Sequence, residues 1–196
     1  MKILLIQLRR LGDLILTTPA ISALREHLPA AQIALAVSGE SAPLLPAIQG
    51  LRQTFLTKRG VRDLSAWMEI RRAGFDCVVD FTRNDRSAWL TFLSGAPQRI
   101  VSDRLKIKSK IRPRFYNDFV DCAMKQMHTA DYYLALLQPL GISATANDPL
   151  LEPPGVCARF HGLRVGPGSR FANIVVTDLP RTIAPAALRR FTACAS

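Results

Sequence analysis

The segment that most constrains this chain is its first: an apolar strand, Lys2 to Leu8, runs straight into Arg9-Arg10-Leu11-Gly12-Asp13. Thr17-Thr18-Pro19-Ala20-Ile21 follows and reads as a helix start. A buried strand thus delivers two cations, a glycine and a carboxylate to one sharp turn. In an open α/β sheet, ligands bind at the carboxyl ends of the strands, so a turn of this kind is where chemistry is placed.

Strand and helix signals alternate beyond it. Thr18 as N-cap and Pro19 at the first helical position open a helix, and Ile21, Leu24 and Leu28 recur along it at helical spacing. Alternatively, Leu14–Thr17 is already helical and Pro19 kinks one longer helix. Gln32–Val37 reads as a second strand, ended by Ser38-Gly39, and Ser41–Ile48 as a short helix. Arg52–Thr57 is a third strand leading into the basic loop Lys58-Arg59-Gly60. Val61–Ala73 reads as a helix with Leu64, Trp67, Met68 and Ile70 in the core. Asp76–Phe81 reads as a strand around the apolar run Cys77–Val79, as strands covered on both faces of a parallel sheet are. A helix over 85–93, strand Arg99–Val101 and a last helix over His128–Leu140, stopped by Gly141, complete the series. This alternation with short connections predicts an α/β fold, a doubly wound parallel sheet.

Charge bears on partners. The chain carries 26 Lys and Arg against 15 Asp and Glu, a net +11. Six arginines, no lysine and one acid, Asp178, fall in residues 156–196, whereas the first 155 residues hold 20 bases and 14 acids. The N-terminal part is basic enough to meet an anionic ligand or membrane face, or merely to solubilise the surface. Nucleic acid is not expected as a partner: that charge is modest, aromatics are 7%, and no nucleic-acid motif is present.

Cys77, Cys122, Cys157 and Cys194 form no C-x-x-C pair, and the three histidines show no ligand spacing. Neither a disulfide framework nor a metal site is expected. Cys77, inside an apolar strand, reads as a small buried hydrophobe, and a reducing cytosol fits. Gln7, Arg9, Arg10 and Asp13 cut the first apolar run too short for a signal peptide. No stretch approaches the roughly 18 apolar residues of a membrane span. The expected location is cytoplasmic, at most peripheral to a membrane. Beyond Pro153-Pro154 no period holds for long, although Ala172–Val176 and Ala186–Phe191 are weakly signalled. Residues 1–150 are therefore expected to be the folded domain and 151–196 a divergent, poorly ordered tail.

Each candidate residue has two readings. Asp13 at a strand end can accept a proton from a hydroxyl as general base, typically worth ~10²–10⁴-fold in rate; it can equally cap the helix. Arg9 and Arg10 either pair with carboxylates or phosphates or form a solvated turn. Arg83, Arg86 and Ser87 follow a strand at a helix start, which favours anions, although Arg86 also fits an ordinary surface position. His128 begins a helix and either contacts a ligand or caps it. Asp103–Arg114 alternates Arg104, Lys106, Lys108, Lys110, Arg112 and Arg114 with Leu105, Ile107 and Ile111. That is an exposed edge strand guarded by lysines, or a segment that touches a lipid headgroup or an anionic sugar.

Several blocks occur in a specific order: Gly12-Asp13, Thr17-Thr18-Pro19-Ala20-Ile21, Leu24-Arg25 with Pro29, Asp80, Arg86-Ser87-Ala88, Gly95-Ala96-Pro97 with Arg99, and His128-Thr129 through Leu140-Gly141. Over about residues 1–142 the chain resembles the lipopolysaccharide heptosyltransferases of glycosyltransferase family 9, most closely the branch that adds the third, side-branch heptose. The resemblance implies the N-terminal, Rossmann-like half of a GT-B arrangement. It also implies inverting transfer of heptose from ADP-heptose to a hydroxyl of the inner core. Asp13 would be the base, and Arg9, Arg10, Gly12, Thr17, Arg83, Arg86, Ser87 and His128 would lie on the acceptor side.

No cofactor and no metal is implied; ADP-heptose enters as donor substrate. The family holds it mainly with a second domain bearing glycine-rich and acidic-Gly-Pro-His-like motifs, which are not found here. Gly166-Pro167-Gly168-Ser169 matches that domain's start only in part. The expectation is thus a truncated, acceptor-binding part whose partner is the lipopolysaccharide inner core, with peripheral contact to the inner membrane. ADP-heptose would bind only where a donor domain is supplied. The alternative, of a different class, is a non-catalytic remnant or anionic-glycan-binding module.

Overall fold

Lys2–Gln7 (β1) is the central strand, and its side chains define two layers. Successive residues of a strand point to opposite faces. Ile3 and Leu5 pack with Leu14, Ile21 and Leu24 on one face, and Leu4 and Ile6 with Ile70 and Leu90 on the other. An aliphatic residue at every interior position is what a strand covered on both sides requires. Burying each contributes roughly 1.5–3 kcal/mol.

The structure is a computed structural model and describes residues 1–57, 64–122 and 127–143, all within one unit, Met1–Cys157. In chain order the elements are β1, α1 (Leu11–Ile15), α2 (Thr18–His27), β2 (Gln32–Ser38), a 3₁₀ helix Gly39–Ala47, β3 (Gln53–Thr57), α3 (Leu64–Ala73), β4 (Cys77–Asp80), α4 (Asp85–Ser94), β5 (Gln98–Ser102), α5 (Arg104–Lys108), a 3₁₀ helix Arg112–Phe115, β6 (Asp118–Val120), α6 (Thr129–Ala135) and a 3₁₀ turn Gln138–Leu140. The strands form one sheet in the order β3-β2-β1-β4-β5-β6. Every pairing is parallel, with Ile3 opposite Ile33 on one side and Cys77 on the other. This is the doubly wound α/β fold that the alternation predicts.

Local chemistry explains the boundaries. Thr17, not Thr18, stands at the cap position of α2, so Pro19 falls one residue later than expected; α1 is a separate short helix rather than the start of a kinked one. Helix α2 stops at Leu28, because the residue before Pro29 is pushed out of the helical region. At α4, Asn84 and Ser87 form a reciprocal capping box, and Gly95 ends the helix in the left-handed conformation at φ 69°.

Three expectations are corrected. Leu64 and Met68 are exposed, whereas Ala66 and Ile70 are buried with Trp67 packed alongside. Both sets have helical spacing, and the sheet selects only one. Asp103–Arg114 is no edge strand: it forms α5 and a 3₁₀ helix, with Leu105 buried and Ile107 exposed. The edge is the three-residue β6, whose brevity hides it from pattern reading. The last helix ends at Ala135 and resumes as a 3₁₀ turn around Pro139, which cannot continue the α-helical ladder. Cys77 is a free, buried thiol in the core. The basic loop at 58–60, the first residues of the helix expected over Val61–Ala73, and everything expected of 151–196 lie outside the described residues.

Candidate functional site

The strand order reverses between β1 and β4, and the loops leaving their carboxyl ends face each other there. In open α/β sheets this switch point is where ligands enter. Arg9 spans it: its Nε and Nη2 donate to the Thr82 carbonyl at 3.3 and 3.2 Å. The Leu8 N–H donates to Thr82 Oγ1 at 2.7 Å, locking the two loops together. Arg9 and Arg10 are both exposed. With two of its five donors engaged, Arg9 keeps a fork edge for a carboxylate or phosphate.

Asp13 sits in the first turn of α1, half-buried. It is not the cap; Arg10 holds that position, with no side-chain capping bond. The carboxylate instead accepts a hydrogen bond from the Tyr133 hydroxyl, 3.0 Å from Oδ1. Buried Gln7 donates to the Asp13 main-chain carbonyl at 3.5 Å. Burial, and then the facing Asp13 carboxylate, push the Tyr133 phenol upward, so it stays a neutral donor. Gly12 is exposed, and a Cβ built there meets nothing within 4 Å. The space over the first turn of α1 is open.

On the β4 side, Asp80 is buried and organises the loop. Its Oδ1 accepts the Thr82 and Arg83 N–H groups at 2.7 and 3.1 Å, and its Oδ2 accepts Ser87 Oγ at 2.6 Å and the Tyr116 hydroxyl. Burial pushes the carboxyl upward, and these four donors oppose that. The arrangement holds Arg83 at φ 60°, a region that a bulky side chain rarely adopts. Its guanidinium lies 5.0 Å over the Tyr132 ring, and Arg112 donates to its carbonyl at 3.1 Å. Such strain persists only where the surroundings over-determine it, and it clusters at functional sites.

The structure therefore brings Arg9, Arg10, Gly12 and Asp13 to one turn and sets Arg83 across from them, with Arg86 half-buried on the first turn of α4. Thr17 and Ser87 are both buried; Thr17 donates its hydroxyl to the Leu14 carbonyl at 2.6 Å, and Ser87 donates to Asp80, so each braces its own helix start. His128 is exposed at the start of α6, where its Nδ1 accepts the Ala130 N–H at 3.4 Å, so it caps the helix that carries Tyr133. Pattern reading gave no role to Tyr133, Thr82, Tyr116 or Gln7. The available signal was Asp80, a carboxylate closing an apolar strand.

No protein family profile and no curated protein sequence matches the chain. Solved structures do. A glycosyl transferase family 9 protein from Veillonella parvula is similar at 24% identity and TM-score 0.63, over 74% of this chain and 42% of its own. The E. coli heptosyltransferase WaaC with ADP is similar at 19% identity and TM-score 0.65, over 76% of this chain and 51% of its own. The E. coli ADP-heptose lps heptosyltransferase II is similar at 19% identity and TM-score 0.65, over 82% of this chain and 51% of its own. The likeness is one of fold, and the chain spans about half the length of these proteins or less.

Proposed function

We propose that this chain is the acceptor-binding half of a heptosyltransferase that moves heptose from ADP-heptose to a hydroxyl of the lipopolysaccharide inner core, with Asp13 as general base. The observation that carries the reading is the Asp13 carboxylate, partly exposed at the switch point, oriented by Tyr133 and flanked by Arg9 and Arg10. The order of sequence blocks and the fold shared with solved heptosyltransferases support it.

In this reading an Asp13 oxygen takes the proton of the acceptor's hydroxyl as the hydroxyl oxygen attacks the anomeric carbon. The bond to ADP breaks on the opposite face, ADP leaves with the electron pair, and the configuration inverts. Arg9 and Arg10 hold carboxylates or phosphates of the acceptor, which positions the hydroxyl and provides the near-attack geometry that makes a base effective. ADP-heptose is assigned to the part of the longer transferases that this chain does not span.

Titration of the isotope-labelled chain with an anionic inner-core oligosaccharide, followed by NMR, tests the reading. Amide shifts should move at 8–13 and 82–86 and fade with salt. Shifts confined to the amino ends of the strands, or none at millimolar ligand, would overturn it.

A further inference from the structure

We propose that Thr82 is a positioning residue: it clamps Arg9 so that the outer edge of the guanidinium is a preformed receptor for one carboxylate or phosphate group. This role rests on the acceptor reading for the ligand that supplies the anion. Thr82 is 2% exposed, and each of its polar groups is engaged at the switch point. Its N–H donates to Asp80 Oδ1 at 2.7 Å. Its hydroxyl accepts the Leu8 N–H at 2.7 Å and donates to the Ile6 carbonyl at 3.3 Å. Its carbonyl accepts Arg9 Nε and Nη2 at 3.3 and 3.2 Å.

One residue thus fixes both ends of the clamp. The bond to Leu8 sets the backbone immediately before Arg9. The bonds to Leu8, Ile6 and Asp80 together set the carbonyl that Arg9 grips. Behind them, Ser87 and Tyr116 hold Asp80 Oδ2, so the clamp is anchored in the buried part of the loop. A β-branched residue suits the task, because its restricted χ1 keeps the hydroxyl on both partners.

The consequence for Arg9 is geometric. A guanidinium is planar, with a side edge formed by Nε–H and Nη2–H and an end edge formed by Nη1 and Nη2. The Thr82 carbonyl takes the side edge. The end edge, which matches two oxygens of a carboxylate or phosphate, is left on an exposed side chain. With the plane already set, an anion bound there does not have to immobilise a long side chain, a cost that preorganisation removes. Arg10 is also exposed but has no such clamp among the described residues, so it attracts anions without orienting them.

NMR of the isotope-labelled full chain in phosphate-free buffer tests this. Without ligand, the Arg9 Nε–H should be protected from exchange with water, and that of Arg10 should not. Inorganic phosphate should shift the Arg9 signal along a saturating curve, whereas chloride at matched ionic strength should not. Thr82→Val should speed Arg9 exchange to the Arg10 rate and weaken phosphate binding about fivefold. Thr82→Ser keeps the hydroxyl and should restore both. Arg9→Lys cannot grip a carbonyl and present a two-pronged edge at once, so it should lose the preference for phosphate over chloride.

Exchange at Arg9 as fast as at Arg10 in the unaltered chain would overturn the proposal, and that comparison needs no variant to fold. So would a phosphate response that chloride reproduces, or Thr82→Val binding phosphate as well as the unaltered chain does. Phosphate carries no sugar. A clamped, phosphate-binding Arg9 in a chain that ignores the inner-core oligosaccharide would therefore contradict the acceptor reading and leave the clamp standing.

Discussion

Tyr133 donates a hydrogen bond to Asp13 Oδ1 at 3.0 Å across 120 positions of sequence, joining α6 to the turn after β1. The bond fixes one carboxylate oxygen; in the proposed mechanism the other takes the hydroxyl proton. Tyr133→Phe should cost only about 0.5–1.5 kcal/mol of stability, because Asp13 is partly exposed and water replaces the lost donor. Turnover should fall roughly tenfold while acceptor affinity barely changes, since a misplaced base affects chemistry more than binding. Kinetics that show a raised KM and unchanged kcat would mean Tyr133 acts on binding instead.

The buried Asp80 network should behave differently. Asp80→Ala removes the acceptor for Thr82 N–H, Arg83 N–H, the Ser87 hydroxyl and the Tyr116 hydroxyl at once. Donors left buried and unpaired cost about 1–3 kcal/mol each at most, so a loss of about 3 kcal/mol or more is expected. Chemical denaturation checks this; a change below about 1 kcal/mol would mean the loop is not built around Asp80.

Alkaline conditions should destabilise the fold. Burial pushes the Cys77 thiol from its ordinary 9.0 up to about 12 and the Cys122 thiol up to about 11. Burial also raises the phenols of Tyr116, Tyr132 and Tyr133. Above pH 9.0 the unfolded chain sheds thiol protons that the folded chain keeps. The folded state then binds more protons, so stability is full below that pH and falls as pH rises through about 12. Urea midpoints measured from neutral to alkaline pH should decline; a flat or rising series would contradict the burial of these groups.

Arg9 and Arg10 predict the salt dependence of acceptor binding. Calorimetry of the 196-residue chain should show weak heat with an anionic core fragment, reduced by Arg9→Ala/Arg10→Ala and by high salt, as exposed charge pairs are. ADP-heptose should give no detectable heat. Tight ADP-heptose binding would show that a donor site exists within this chain.

Much of the fold was legible because the physics was local. Ile3 to Ile6 and Val78–Val79 could only be buried strands, and Thr17–Pro19 could only be near a helix start. The position of the turn Arg9–Asp13 at the sheet's carboxyl edge was legible because it directly follows a buried strand. What stayed hidden was long-range. Tyr133 in a helix reads as another core aromatic, and only tertiary packing brings its hydroxyl to Asp13. The choice between Ala66 with Ile70 and Leu64 with Met68 belongs to the sheet, not to α3. Ser87 looked like a ligand contact because a helix start favours anions, yet the buried anion it meets is the protein's own Asp80.

The most direct measurement compares Asp13→Asn with the unaltered sequence in heptose transfer, with a donor domain supplied. Arg10, not Asp13, occupies the cap of α1, so melting should change by less than about 1 kcal/mol. Turnover per folded molecule should fall by ~10²-fold or more. Retained turnover in Asp13→Asn, with or without a collapse in melting, would contradict the assignment of Asp13 as the base.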